Sequence, residues 1–178
     1  IKETKMAKPT KIEGRIWVIR DESGSRIDNI DTDMIYHNKH LAVTDINEMG
    51  QYIFGNLDGW KDFPKKVQKG DILVVGRNFG SGSSRQHAVD GFTALGVQAI
   101  IGESFGSIYW RNAVNAGVPV LEAPDIMASG IESGQVVTID LESGGIEVKD
   151  SCKRVQAKPM SQVQREIYQA GGLFEYAK

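Results

Sequence analysis

Apolar positions are densest in the middle of the chain, where they come in short blocks separated by glycine. Asp71-Ile72-Leu73-Val74-Val75-Gly76 reads as a buried strand, and residues 85–95 space their apolar side chains as a helix stopped by Gly96. A strand over 97–102, a helix over 106–116 ended by Gly117, and a strand over 118–122 follow in order. Strand and helix in alternation predict two successive crossovers and a small parallel sheet.

The flanks have a different rhythm. Residues 12–20 alternate well enough for a first strand, followed by a turn at Asp21-Glu22-Ser23-Gly24-Ser25. Residues 46–54 predict a short helix with Ile46, Met49, Gly50 and Ile53 on one side, ended by Asn56-Leu57-Asp58-Gly59. Residues 135–140 and 146–149 flank Ser143-Gly144-Gly145 as a hairpin, and Ser161 with Gln164 fits a capping box for a last helix through Ala170. The fold class is therefore α/β, parallel in the middle and antiparallel at its margins. Residues 1–11 read as a polar, lysine-rich and flexible lead-in, with Met6 a candidate native start, and residues 12–178 as a single domain.

Composition removes several classes of function. With 40% hydrophobic and 25% charged residues and a net charge of −2, the chain has no basic excess for general nucleic-acid binding. No apolar run reaches the length of a membrane span and no signal-peptide core is visible, so the expectation is a cytoplasmic protein. The single cysteine, Cys152, excludes an internal disulfide and a cysteine-held cluster within this chain. Any iron–sulfur cluster it works with must sit on another chain.

The stretch from Asn78 to Ala88 carries the chemistry. A glycine-rich turn between a strand and a helix N-terminus exposes backbone N–H groups to an anion. It is not a P-loop, which needs a lysine after its last glycine; it is not a dinucleotide fingerprint, because Arg85 stands at the third glycine position. Nor is it a nucleophile elbow, since Ser81 and Ser83 lack flanking glycines in register. The plain alternative is an N-cap turn, but one cap needs one serine, and this turn offers Ser81, Ser83 and Ser84 with Arg85 beside them.

With Gly82-Ser83-Ser84-Arg85-Gln86-His87-Ala88 in view, the chain resembles the small subunits of the aconitase superfamily, nearest the isopropylmalate dehydratase (isomerase) type. The likeness extends through Asp28-Asn29-Ile30-Asp31-Thr32-Asp33 and through the stretch from Phe105 to Gly117, and covers most of residues 14–124. The resemblance implies a swivelling β/β/α domain that closes over a large partner subunit holding a [4Fe-4S] cluster, with no cofactor bound by this chain. It implies reversible dehydration and rehydration of a 2-hydroxy dicarboxylate such as 2- or 3-isopropylmalate. Ser83 then matches the catalytic base, and Ser84 and Arg85 match residues that bind a substrate carboxylate. Ala42, Val43 and Thr44 fall in the substrate-selecting loop, where relatives accepting a third carboxylate carry arginine. An apolar loop there favours an apolar substituent, since burying an unpaired carboxylate is costly. Asp31, Thr32, Asp33, Gly80, Gly82 and His87 are expected to shape the site. Ser81 and Gln86 depart from the cysteine and glutamate common in relatives, and Ile35-Tyr36-His37 from their Ile-Ile-Pro.

Other enzymes of the same chemistry remain open: homoaconitase, dimethylmalate dehydratase, and citraconate or maleate hydratase small subunits. Outside enzymes, the same turn suits a module binding a small anion or a phosphate. Asp31 and Asp33 read either as a metal pair or, twice as readily, as an aspartate-stabilised turn, and no metal is assigned. His37 and His40 lack a third ligand nearby. Lys65, Lys66 and Lys69 read as a solvated face, and Trp110 and Arg111 as helix positions for the core or the large subunit. An isolated subunit, its partner surface uncovered, has a surface through which it could self-associate.

Overall fold

The computed structural model describes residues 7–178. One seven-stranded sheet runs through it: β1 (Lys11–Val18), β2 (Ile72–Val75), β3 (Ala99–Gly102), β4 (Val120–Glu122), β5 (Val136–Asp140), β6 (Gly145–Val148) and β7 (Arg154–Gln156), in the spatial order β4-β3-β2-β1-β5-β6-β7. β1 joins two kinds of pairing. Its second half pairs parallel with β2, Ile16 opposite Ile72, while its first half pairs antiparallel with β5, Lys11 opposite Asp140.

Burial explains why the halves read differently in sequence. Every residue of β2 and β3 is buried, because both faces of a parallel sheet are covered, and the strands are continuous apolar runs. β5 and β6 alternate between buried and accessible positions, as one-sided strands do. Ile72 and Val74 face a core shared with Ile16, Val137, Ile139, Ile146 and Tyr168. Leu73 and Val75 face the opposite core with Ile30, Phe79, Phe92 and Tyr109. That second core is roofed by α4 (His87–Ala94) and α5 (Ser107–Asn115), with the one-turn helices α1 (Thr32–Ile35), α2 (Ile46–Met49) and α3 (Phe63–Lys66) at its margin. The chain closes with α6 (Gln162–Ala170) and the short α7 (Leu173–Tyr176). Ser161 and Gln164 form the expected capping box, and Gly171 at φ +97° stops α6. Among the described residues no helix is long and apolar enough to cross a membrane.

Several expectations are corrected. The helix predicted over 46–54 breaks after Met49 into a 3-10 turn, Gly50–Tyr52. A Cβ on Gly50 would press against Leu95, and Phe54 takes a positive φ of 60° to turn the chain back toward Ile35. The first strand ends at Val18, and Arg20 turns off to bridge Arg26. β7, with only Val155 buried, is too short to leave a periodic signal. Residues 1–6 of the expected lead-in lie outside the described residues. The rest is tied down: Lys11 opens β1, Tyr168 donates to the Pro9 carbonyl at 2.9 Å, and the Leu141 N–H donates to the Thr10 carbonyl at 2.8 Å.

Below β2, buried Asp71 accepts hydrogen bonds from Arg15 Nη2 (2.7 Å), Trp17 Nε1 (2.8 Å) and the Gln68 N–H (2.8 Å). Burial pushes its carboxyl up, but these three donors outweigh burial and hold it below the ordinary value. Its contribution to stability is therefore complete above the unfolded carboxyl's pKa and is lost as pH falls through the lower folded value. Asp71→Ala strips three donors of their acceptor and is expected to cost about 3 kcal/mol at neutral pH. In chemical denaturation, the gap between wild-type and variant stabilities should narrow as pH falls from the unfolded carboxyl's pKa through the lower folded one.

Candidate active site

The parallel strands end along one edge, and the glycine-rich turn leaves β2 there, where loops beyond strand C-termini make clefts. Asn78 and Asn29 both sit in the left-handed region, at φ 55° and 58°, and their side chains bond to each other at 3.0 Å. Asparagine is among the few residues with a side chain that adopt that conformation readily. The Asn78 N–H is satisfied by Ser104 Oγ (2.8 Å), and the Asn29 N–H by the Arg77 carbonyl (2.9 Å). Next, the Gly80 N–H donates to the Ile30 carbonyl at 2.7 Å. Gly80 has φ +80°, and a Cβ there would overlap the Tyr109 side chain around its Cγ, so only glycine fits.

Asp31, Thr32 and Asp33 run beside the turn and fix it. Asp31 bridges Ser81, the Thr32 N–H donates to the Ser81 carbonyl (2.9 Å), and Thr32 Oγ1 donates to the Ser83 carbonyl (3.0 Å). The Asp31 side chain caps α1 through the Met34 N–H at 2.8 Å. Asp33 accepts from the Asn38 N–H (3.0 Å) and from Arg85 Nη1 (3.1 Å). The Asn38 N–H, against modest desolvation and aided by Arg85, holds the Asp33 carboxyl below its ordinary value. Both aspartates are engaged by the turn itself, Asp31 by the Met34 N–H and Asp33 by the Asn38 N–H and Arg85. Among the described residues, no three His, Cys, Asp or Glu side chains are grouped to hold a metal.

The N-cap alternative for the serines fails. α4 begins at His87 behind Gln86, and no side chain caps it. Ser83 and Ser84 are exposed. Ser84 Oγ accepts from Asn112 Nδ2 of α5 at 3.1 Å, whereas Ser83 Oγ meets no hydrogen-bond partner among the described residues. The backbone N–H groups of Ser83, Ser84, Arg85 and Gln86 likewise meet no acceptor among them and remain available to an anion. Arg85, its side chain only 10% exposed, spends Nη1 on Asp33 and on the Tyr36 carbonyl at 2.7 Å. That leaves the Nε and Nη2 edge, two parallel donors, in the geometry that grips a carboxylate bidentately. Gln86 turns away along the helix to Asp90 Oδ1 at 3.0 Å.

The loop of Ala42, Val43 and Thr44 reaches the same helix start. Ala42 and Thr44 are exposed and Val43 is half-buried, and the Val43 carbonyl lies 2.9 Å from His87 Nε2. His37 caps the turn Asn38–His40 by accepting from the Lys39 N–H (3.1 Å), and His40 stacks on Tyr52 with centroids 3.8 Å apart. Burial, with Lys39 and His37 close by, pushes the His40 imidazole below its ordinary value. Trp110 packs on Phe105 and, with Arg111, lines a cleft of about 520 Å³ along α5. Lys65, Lys66 and Lys69 are exposed, Lys66 pairing with Asp62 at 2.9 Å.

Three contributors escaped the sequence reading. Asn112 shares an α5 face with Tyr109 and Ala113, a helical spacing that could have revealed it. Tyr36 touches Arg85 only through its carbonyl, which no side-chain pattern signals. Buried Glu103, bonded to Arg26 Nη1 (3.2 Å) and Arg77 Nε (3.2 Å), anchors the chain leaving β2 and β3.

Comparison with known proteins places this geometry in a family. Residues 24–125 match the Aconitase C-terminal domain. A 3-isopropylmalate dehydratase small subunit from Caldicellulosiruptor bescii is 42% identical over 161 residues, which are 90% of this chain and 95% of that one. The isopropylmalate/citramalate isomerase small subunit of Methanocaldococcus jannaschii is 37% identical, covering 94% of each. A crystal structure of 3-isopropylmalate dehydratase from M. jannaschii superimposes with a TM-score of 0.82 at 35% identity, over 94% of this chain and 93% of that chain. The swivel-type α/β fold expected from the motifs is the fold of that protein, and the chain belongs to the aconitase C-terminal-domain family, among the 3-isopropylmalate dehydratase small subunits.

Proposed function

We propose that this chain is the small subunit of a two-chain isopropylmalate dehydratase, supplying the base and part of the carboxylate clamp to a site completed by a large subunit. The observation that carries the reading is the pairing of an unengaged Ser83 hydroxyl with an Arg85 whose Nε and Nη2 edge is free. Relatives named as small subunits support a large partner. The [4Fe-4S] cluster is assigned to that partner, since the described residues offer no ligand group and Cys152 stands alone and exposed. The reading carries a cytoplasmic location with it.

Arg85 and Ser84 bind one carboxylate of the 2-hydroxy acid. Ser83, as alkoxide, takes a proton from the carbon next to the hydroxyl-bearing one. The electron pair of that C–H bond becomes the C=C bond as the C–O pair leaves with the hydroxyl oxygen. The partner's cluster would supply the Lewis acid that takes that hydroxide, and the reverse addition returns it to the neighbouring carbon as Ser83 gives its proton back to the other. A serine alkoxide needs donors aimed at it, and in this reading the unengaged N–H groups of the turn supply them, each well-directed donor being worth about 3 kcal/mol. Leu41, Ala42 and Val43 present an uncharged surface to the substrate's alkyl group, which supports isopropyl or methyl over a third carboxylate.

The test reconstitutes the chain with its large subunit anaerobically and follows absorbance of the unsaturated acid. Turnover of 2-isopropylmalate is expected, and none by this chain alone. Inactivity of the assembled pair on every 2-alkylmalate would overturn the reading. Ser83→Ala should assemble normally and lose about 10³-fold in kcat. Arg85→Lys keeps the charge but loses the fork, and should raise KM by about tenfold or more.

A further inference from the structure

We propose that His87 is a positioning residue that sets substrate selectivity by tying the loop around Val43 to the helix turn that carries Arg85. The proposal rests on the reading above and assigns His87 a role toward the loop, whereas the serines are reached by Asn112.

His87 is the first residue of α4, two residues beyond Arg85. Its Nε2 lies 2.9 Å from the Val43 carbonyl, and a carbonyl only accepts, so the proton sits on Nε2. One face of the imidazole lies against the Tyr36 ring, with centroids 5.0 Å apart and planes inclined 36°. Tyr36 is fully buried and fixes both neighbours. Its carbonyl accepts from Arg85 Nη1 at 2.7 Å, and its hydroxyl donates to the His40 carbonyl at 2.9 Å. The Val43 N–H closes back on the His40 carbonyl at 3.1 Å, so residues 40–43 form one tight turn. That turn is held at one end by Tyr36 and at the other by His87.

The consequence is a ruler. One end is the Arg85 guanidinium, which grips the carboxylate; the other is the exposed tip, Leu41 and Ala42, which meets the alkyl substituent. The backbone of the tip has no sheet or long helix to hold it, so side-chain bonds to its carbonyls define the distance between the two ends. The His87 bond is the one that runs directly from the Arg85 turn. Removing it leaves Ser83, Ser84 and Arg85 in place and lets the tip drift. The surface offered to the alkyl group then shifts while the proton-transfer groups keep their places.

The experiment uses the assembled enzyme with 2-isopropylmalate and its 2-methyl homologue, comparing wild type with His87→Leu and His87→Gln. His87→Leu should cut kcat/KM for the isopropyl substrate about tenfold, most of it in KM, and narrow the isopropyl-to-methyl preference. His87→Gln returns an N–H donor near the Nε2 position and should restore most of that preference. If His87→Leu keeps the wild-type preference, or if His87→Gln is as impaired as His87→Leu with the loss in kcat, the proposal is wrong. A wild-type pair inactive on both substrates overturns the functional reading and this proposal with it. Should His87→Leu fail to fold, the ¹⁵N shifts of the wild-type imidazole decide: a protonated, hydrogen-bonded Nε2 supports the tie, and a neutral ring protonated on Nδ1 removes it.

Discussion

The segment from Asp28 to Asp33 lies against the turn that follows β2 and supplies it with the hydrogen bonds a neighbouring strand would otherwise give. Gly80 donates to Ile30, Thr32 donates to Ser81 and, through its hydroxyl, to Ser83. Because these bonds satisfy the inner side of the turn, the outer N–H groups of Ser83 to Gln86 are left unengaged, and the serine hydroxyls are not consumed as caps. A tight turn buried on one side and hydrogen-bonded along it is rigid, and rigidity is what a group of aimed donors requires. The local costs are visible: two asparagines in the left-handed region, and a glycine pressed against the Tyr109 ring. Strain of this kind persists only where the surroundings over-determine it.

The same packing distributes charge. Arg85 has one nitrogen committed to Asp33 and Tyr36, which fixes the plane of its guanidinium and turns the other edge outward. Deeper in the edge of the sheet, Glu103 is paired with Arg26 and Arg77. The half-site proposed above rests on that free guanidinium edge and on the unengaged N–H groups of the turn. The α4 start carries two kinds of contact at once, since Arg85 bonds Asp33 and the Tyr36 carbonyl while His87 bonds the Val43 carbonyl of the neighbouring loop.

The middle of the fold was legible because parallel strands covered on both faces must be continuously apolar, and β2, β3 and their helices announce themselves. The turn was legible through its excess of serines, and its family through the Gly82–Ala88 stretch. What the sequence hid were interactions made by the backbone. The Tyr36 carbonyl on Arg85, the Val43 carbonyl on His87 and the Ile30 carbonyl on Gly80 carry no side-chain signature. The break after Met49 was hidden for a related reason: the apolar spacing suits a helix, but Ile53 turns extended and Phe54 takes a positive φ to donate to the Ile35 carbonyl, again a backbone bond. Likewise β7 is too short for its alternation to stand out.

Native-state amide exchange of the isolated chain tests the central claim most directly, because it reads both sides of the turn in one measurement. The Gly80 and Thr32 amides should be protected to the level of β2, while the amides of Ser83, Ser84, Arg85 and Gln86 exchange rapidly. Gly80 and Thr32 exchanging as fast as the loop around Ala42 would contradict a turn held rigid from within.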